Sequence, residues 1–157
     1  MAKSVRKRAK AVLDEPVTVD AKPPWKWRCR KDDRGVDVID EWHNSIEVTK
    51  TARANFERRR DQLSQLDFRR WERPAACQLK DHICVIHFKD ESSKQWRVFG
   101  YSAPESKTFV MTNVATEKDD VYKPKKSAKH AANHRDAIRI DFDRLSCGCF
   151  PSATAAK

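Results

Sequence analysis

At 157 residues the chain is long enough to bury one real core, and a single domain is expected. Its 33 Lys and Arg against 23 Asp and Glu leave a net charge of +10, a balance that favours a polyanionic partner, most often nucleic acid. No run reaches the roughly 18 apolar residues of a membrane span, and no apolar stretch follows the basic N-terminus, so neither a membrane protein nor a secreted one is expected and the chain reads as cytoplasmic.

Residues 1–22 are basic and then Pro-containing, without sustained periodicity, and are expected to form a flexible arm. Lys3, Arg6, Lys7, Arg8 and Lys10 stand there without an acid among residues 1–10. The arm reads equally as a nucleic-acid contact or a solubilising tail. The domain itself is expected over 23–146. Trp25-Lys26-Trp27-Arg28-Cys29-Arg30 alternates large and basic residues, the pattern of a half-buried strand with Trp25, Trp27 and Cys29 inward. After a turn at Asp32-Asp33-Arg34-Gly35, Val38, Ile39, Trp42 and Ile46 recur at helical spacing, with Asp37 placed as the cap. A second helix, from about 49 or 51 to 66, has the stripe Ala52, Phe56, Leu63 and Leu66. Its other face carries Arg53, Arg58, Arg59 and Arg60, a pattern more often solvated than ligand-binding.

Residues 67–80 read as irregular. Three runs rich in β-branched and aromatic residues follow, separated by polar turns, and predict an antiparallel meander over 82–114. In the second run Arg97, Phe99 and Tyr101 share one face, with Trp96 and Val98 on the other. Residues 115–126 read as a polar loop holding Lys118, Tyr122 and Pro124. Ser127 looks like the cap of a last helix with the stripe Ala131, Arg135, Ile138, Phe142 and Leu145. Residues 147–157 are expected to be a disordered tail. The fold class predicted is α+β, with an antiparallel sheet of about four strands, two N-terminal helices packed on it and a C-terminal helix.

The chemistry-bearing motifs are few. Only three glycines occur, Gly35, Gly100 and Gly148, and there is no Gly-rich phosphate loop, His-Glu-x-x-His element or serine nucleophile elbow. The five cysteines are scattered apart from Cys147-Gly148-Cys149, and no further ligand stands near that pair, so reduced thiols and no metal site are expected. What remains is basic and aromatic: His82, His87, Arg97, Tyr101, Lys118, Tyr122, Lys125, Lys126 and His130. Such groups hold a phosphodiester and stack a splayed base, and RNA brings its own 2′-OH nucleophile, so cleavage needs neither metal nor cofactor.

The ordered series of short motifs resembles the RelE/HigB superfamily, in particular its phage-derived HigB-like branch. It runs through Trp25 to Arg30, Asp40-Glu41-Trp42 to Leu66 and Gln78-Leu79-Lys80-Asp81-His82-Ile83. It continues through Trp96-Arg97-Val98-Phe99-Gly100-Tyr101, Glu117-Lys118 and Ala131-Ala132-Asn133-His134-Arg135. The resemblance covers about residues 25–140. It departs where the branch has Glu-Leu-Arg and this chain has Val85-Ile86-His87, and where paired lysines are reduced to Lys118-Asp119 with Lys125-Lys126 downstream. A histidine in place of an arginine carries charge only when protonated.

The resemblance implies a ribosome-dependent mRNA endonuclease toxin, partnered by RNA, the ribosome and a cognate antitoxin protein. Arg97, His87 and Tyr101 are its candidate catalytic residues, and Lys118, Tyr122, Lys125, Lys126 and His130 its candidate RNA contacts. The competing expectation is a non-catalytic phage or mobile-element module on the same fold, binding nucleic acid or protein. For His87 the register of the hairpin through 89–94 decides. An odd-length loop centred near Ser92 sets it opposite Arg97, and an even-length loop sets it in the core beside Trp96.

Overall fold

The computed structural model describes residues 24–103 and 106–140. The arm expected over 1–22, Pro104 and Glu105 of the expected turn, Phe142 and Leu145 of the last stripe, the Cys147 and Cys149 pair and the tail expected over 147–157 lie outside the described residues.

The fold is α+β. The strands are β1 (Lys26–Cys29), β2 (Ala76–Gln78), β3 (Cys84–Lys89), β4 (Gln95–Ala103), β5 (Thr108–Lys118) and β6 (Val121–Lys123); the helices are α1 (Val38–His43), α2 (Lys50–Ser64) and α3 (Ser127–Ile140). One six-stranded sheet runs β1-β5-β4-β3-β2, with β6 also paired to β5. The expected antiparallel sheet of about four strands is corrected on two counts. The sheet has six strands, and it is mixed, because β1 runs parallel to β5 from Lys26 opposite Thr108 to Cys29 opposite Met111.

Both unexpected strands have local causes. Ala76-Cys77-Gln78 carries no β-branched residue; it becomes a strand by pairing antiparallel to β3, Ala76 opposite Ile86 and Gln78 opposite Cys84. The stretch read as a polar loop is the end of β5, a two-residue turn and β6. Asp119 and Asp120 both adopt positive φ, 53° and 63°, in the turn between Lys118 and its partner Val121. Such a turn matches the twist of a hairpin, and Asp tolerates the left-handed region better than most residues.

The first helix begins as expected, with the Asp37 carboxylate accepting from Ile39 N at 3.0 Å and Asp40 N at 2.9 Å. It ends at His43 because Asn44 donates to the Asp40 carbonyl from both its backbone and its side chain. Ile46, expected in its stripe, is therefore 98% exposed, and Val48 is buried instead. Thr49 caps α2 by accepting from Ala52 N at 3.1 Å.

α1 and α2 pack one side of the sheet, where Ile39, Ala52, Phe56 and Leu63 join Phe88, Trp96, Val98, Phe109 and Met111 in the larger core. Trp25, Trp27, Phe68, Trp71 and Phe109 form one ring cluster within it, Trp27 stacked on Trp71 at 5.5 Å. α3 covers the opposite side, where Ala131 and Ile138 meet Ile83, Val85, Phe99, Tyr101 and Val110. Ser127 is the first residue of α3, and its hydroxyl donates to the Pro124 carbonyl at 2.6 Å. Cys29 is disulfide-bonded, which corrects the expectation of reduced thiols throughout; Cys77 and Cys84 are free.

Candidate anion-binding cleft

The hairpin from β3 to β4 closes through residues 90–94, an odd number, because Lys89 pairs with Gln95. Asp90 sets this loop: its carboxylate accepts from Ser92 N at 2.9 Å and Lys94 N at 3.0 Å. His87 accordingly lies directly opposite Arg97 and shares its face. Along that face the residues change from apolar to polar. Tyr101, Phe99, Val85 and Ile83 belong to the core under α3, and the His87–Arg97 pair lies outside that cluster.

β2 reaches only as far as Ala76 opposite Ile86, with one further bond from His87 N to the Ala75 carbonyl. Past that point α2 supplies side chains to the strand. Arg59 Nε donates to the His87 carbonyl at 3.0 Å, and Asn55 Nδ2 donates to the Lys89 carbonyl at 2.7 Å. Between this helix and the strand ends lies a cleft of about 790 Å³. Asn55, Arg58, Arg59 and Gln62 line it from α2; His87, Phe88 and Lys89 from β3; Gln95 and Arg97 from β4; and Arg73 and Pro74 from the segment before β2. Five of these eleven residues are permanently cationic and none is a carboxylate, so the cleft favours an anion.

Arg97 is buried, 6% exposed, and largely committed. Nε donates to Glu117 at 2.6 Å, one terminal nitrogen to Gln95 Oε1 at 2.6 Å, and the other to the Trp96 carbonyl at 2.9 Å. Three of its five N–H groups are thereby used. His87 is different: its half-buried imidazole has no hydrogen-bond partner among the described residues. Burial pushes its pKa down to about 4, with Arg97, Arg73 and Arg59 adding repulsion, so the ring is neutral at pH 7. Burial also lowers the pKa of Arg59, though not enough to discharge a guanidinium.

The remaining candidates are dispersed. Tyr101 shares the face of Arg97 as expected, but it is buried beneath α3, with the Arg139 guanidinium 5.8 Å from its ring, and does not line the cleft. It is four residues from Arg97 along β4, with Phe99 between them on the same face, and the apolar patch that takes Phe99 takes Tyr101 too. Tyr122 pairs across the hairpin with Glu117 and packs edge-on against Phe99 at 5.0 Å. Its pKa is raised by burial, then by Glu117 and Cys77. Lys118, Lys125, Lys126 and His130 are exposed around the β6 turn and the start of α3, none of them lining the cleft. His82 sits in the turn before β3 rather than on the strand.

Sequence reasoning missed the contributions of Asn55, Gln62, Arg73, Lys89 and Gln95, and it treated the α2 arginines as one group. The structure divides them. Arg58 and Arg59 face the cleft, Arg53 turns back to the His43 and Ser45 carbonyls, and Arg60 keeps only 14% of its side chain exposed. Their i, i+1 order is the available signal, since consecutive helix residues point about 100° apart. Among the described residues no group of three or more His, Cys, Asp or Glu is placed to hold a metal ion, and no helix is long and apolar enough to cross a membrane. In comparisons with known proteins, no family model, curated protein or solved structure matches this chain.

Proposed function

We propose that the cleft binds RNA and that the protein is a metal-independent endoribonuclease, acting on mRNA at the ribosome as the toxin of a toxin–antitoxin pair in the cytoplasm. The observation that carries this reading is a cationic cleft, free of carboxylates, built around a neutral His87 directly opposite Arg97. Arg58, Arg73 and Lys89 are the exposed cations of the cleft and are assigned the phosphates. Arg97, fastened to Glu117, contributes charge from the cleft wall and stabilises negative charge developing on phosphorus. His87, neutral at pH 7, is the lining group assigned to accept a proton once RNA is seated. Lys118, Lys125, Lys126 and His130 extend the cationic surface for the backbone beyond the cleft, and Tyr122 is assigned the stacking role at its margin.

One observation favours the second reading, a non-catalytic nucleic-acid-binding module. Arg97 is already committed to three acceptors, and the cleft lining offers Lys89, but no carboxylate or second histidine, to work with His87. Purified protein, translating ribosomes and a reporter mRNA separate the two. Cleavage of the message by wild type, lost in Arg73→Ala and His87→Gln, together with growth arrest on induced expression, is the expected result. Tight RNA binding with intact message and unimpaired growth moves the assignment to the binding module. Absence of RNA binding removes both.

A further inference from the structure

Three guanidinium groups from three separate elements surround the His87 imidazole: Arg97 across the hairpin on β4, Arg73 before β2, and Arg59 on α2. None of them gives up its proton in the folding range of pH. The ring between them is half-buried, and neither of its nitrogens has a hydrogen-bond partner among the described residues. An empty cleft of this kind tolerates only the uncharged imidazole. A phosphate seated among the same groups reverses the local sign, offsetting the guanidinium charge and offering oxygens to an imidazolium N–H. We infer that the cleft is a proton-coupled phosphodiester site, in which a backbone phosphate of RNA seats against Arg59, Arg73 and His87 while His87 takes up one proton.

This inference rests on the RNA-binding reading of the cleft. The linkage has a definite sign. In the empty protein His87 titrates at about 4, from burial first and the three arginines second. In the complex its pKa returns to roughly 6.5 or above, the ordinary histidine range. Between those values the complex holds one more proton than its parts, so affinity rises as pH falls. A bound value of ~6.5 makes binding roughly tenfold tighter at pH 5.5 than at pH 7.5. The other charged and polar groups of the surroundings are Lys89 from β3, Gln95 from β4 and Arg58 from α2 in the cleft lining, Glu117 bonded to Arg97, Cys77 bonded to Arg73, and Tyr122 from β6 within the field of the same two arginines. A His87→Gln variant keeps all of them and removes only the imidazole.

The test uses the full chain and a six-nucleotide, 2′-O-methylated RNA without terminal phosphates, which cannot be cleaved and whose backbone charge is constant over this pH range. Dissociation constants from fluorescence anisotropy are expected to fall about tenfold from pH 7.5 to 5.5 for wild type. The His87→Gln variant should lose that pH dependence, its affinity changing less than about twofold between pH 7.5 and 5.5 whatever its absolute value. In wild-type protein the His87 Cε1 proton resonance should titrate near pH 4 when free and at least two units higher when RNA is bound. That second measurement needs no variant to fold. The same pH slope in both proteins, or an unchanged His87 titration on binding, overturns the inference and leaves the RNA-binding reading standing. No RNA binding at any pH overturns both.

Discussion

Removing Arg97 should cost stability as well as activity, and the structure sets the scale. The Arg97 and Glu117 side chains are 8% and 18% exposed and 2.6 Å apart. Arg97→Ala deletes a charge-assisted hydrogen bond and two further bonds, to Gln95 and the Trp96 carbonyl. It also leaves the Glu117 carboxylate in a mostly desolvated place without a cation. Breaking a buried pair from one side typically costs 3–5 kcal/mol. Because Glu117 keeps some access to water, the lower end applies, about 3 kcal/mol. Most of that is the penalty of the stranded carboxylate rather than the worth of the pair, so Arg97→Met combined with Glu117→Gln should recover more than half of it. Urea unfolding followed by tryptophan fluorescence measures both quantities. A loss below about 1 kcal/mol for Arg97→Ala, or a double variant no more stable than the single one, refutes the reasoning. The practical corollary is that relief of growth arrest by Arg97→Ala mixes folding with chemistry, whereas Arg73→Ala, at an exposed position, does not.

A Cβ on Gly100 would run into the Val110 carbonyl and the Phe109 ring at the β4–β5 register shift, so Gly100→Ala should lower stability by about 1–3 kcal/mol in the same unfolding assay. Because His87 is held neutral in the fold, the unfolded chain binds its proton first; stability from this group is full above about pH 6.5 and falls toward pH 4. Wild type should therefore lose more stability than His87→Gln across that window, by about 1–2 kcal/mol once partial exposure is allowed for, as chemical unfolding at each pH will show. Charge removal by Arg58→Ala together with Lys89→Ala should weaken RNA binding across sequences and flatten the slope of log affinity against log salt by about 1.4, at ~0.7 per phosphate contact. Unchanged salt dependence would put the RNA elsewhere.

The meander was legible because its three runs are rich in residues that pack on a pleated surface, and the odd-loop alternative for His87 could be framed from residue counting alone. Choosing it required Asp90, whose carboxylate bonds to Ser92 and Lys94 fix the loop at five residues. β2 and β6 were hidden for opposite reasons. The first owes its extension to a neighbouring strand edge, and the second to positive-φ aspartates that read as an ordinary polar loop. The cleft was legible only from one side. Arg97 and His87 lie on strands whose period is two, but Arg58, Arg59 and Arg73 reach them through the orientation of α2 and an irregular segment, which periodicity does not encode. Tyr101 shows the converse error: sharing a face with Arg97 did not mean sharing an environment, because α3 covers only part of that face.

The bonds from Arg59 and Asn55 to the β3 carbonyls have a consequence for how the protein behaves in a crowded cell. A strand that outruns its neighbour offers unsatisfied carbonyls to any other chain able to extend the sheet, a common origin of edge-to-edge association. Here the exposed stretch beyond β2 is occupied by side chains of the protein's own helix, one of them charged. The same arginine thus guards the sheet against self-association and faces the cleft. Its loss should appear first as concentration-dependent oligomers in light scattering, before any effect on ligand binding is read.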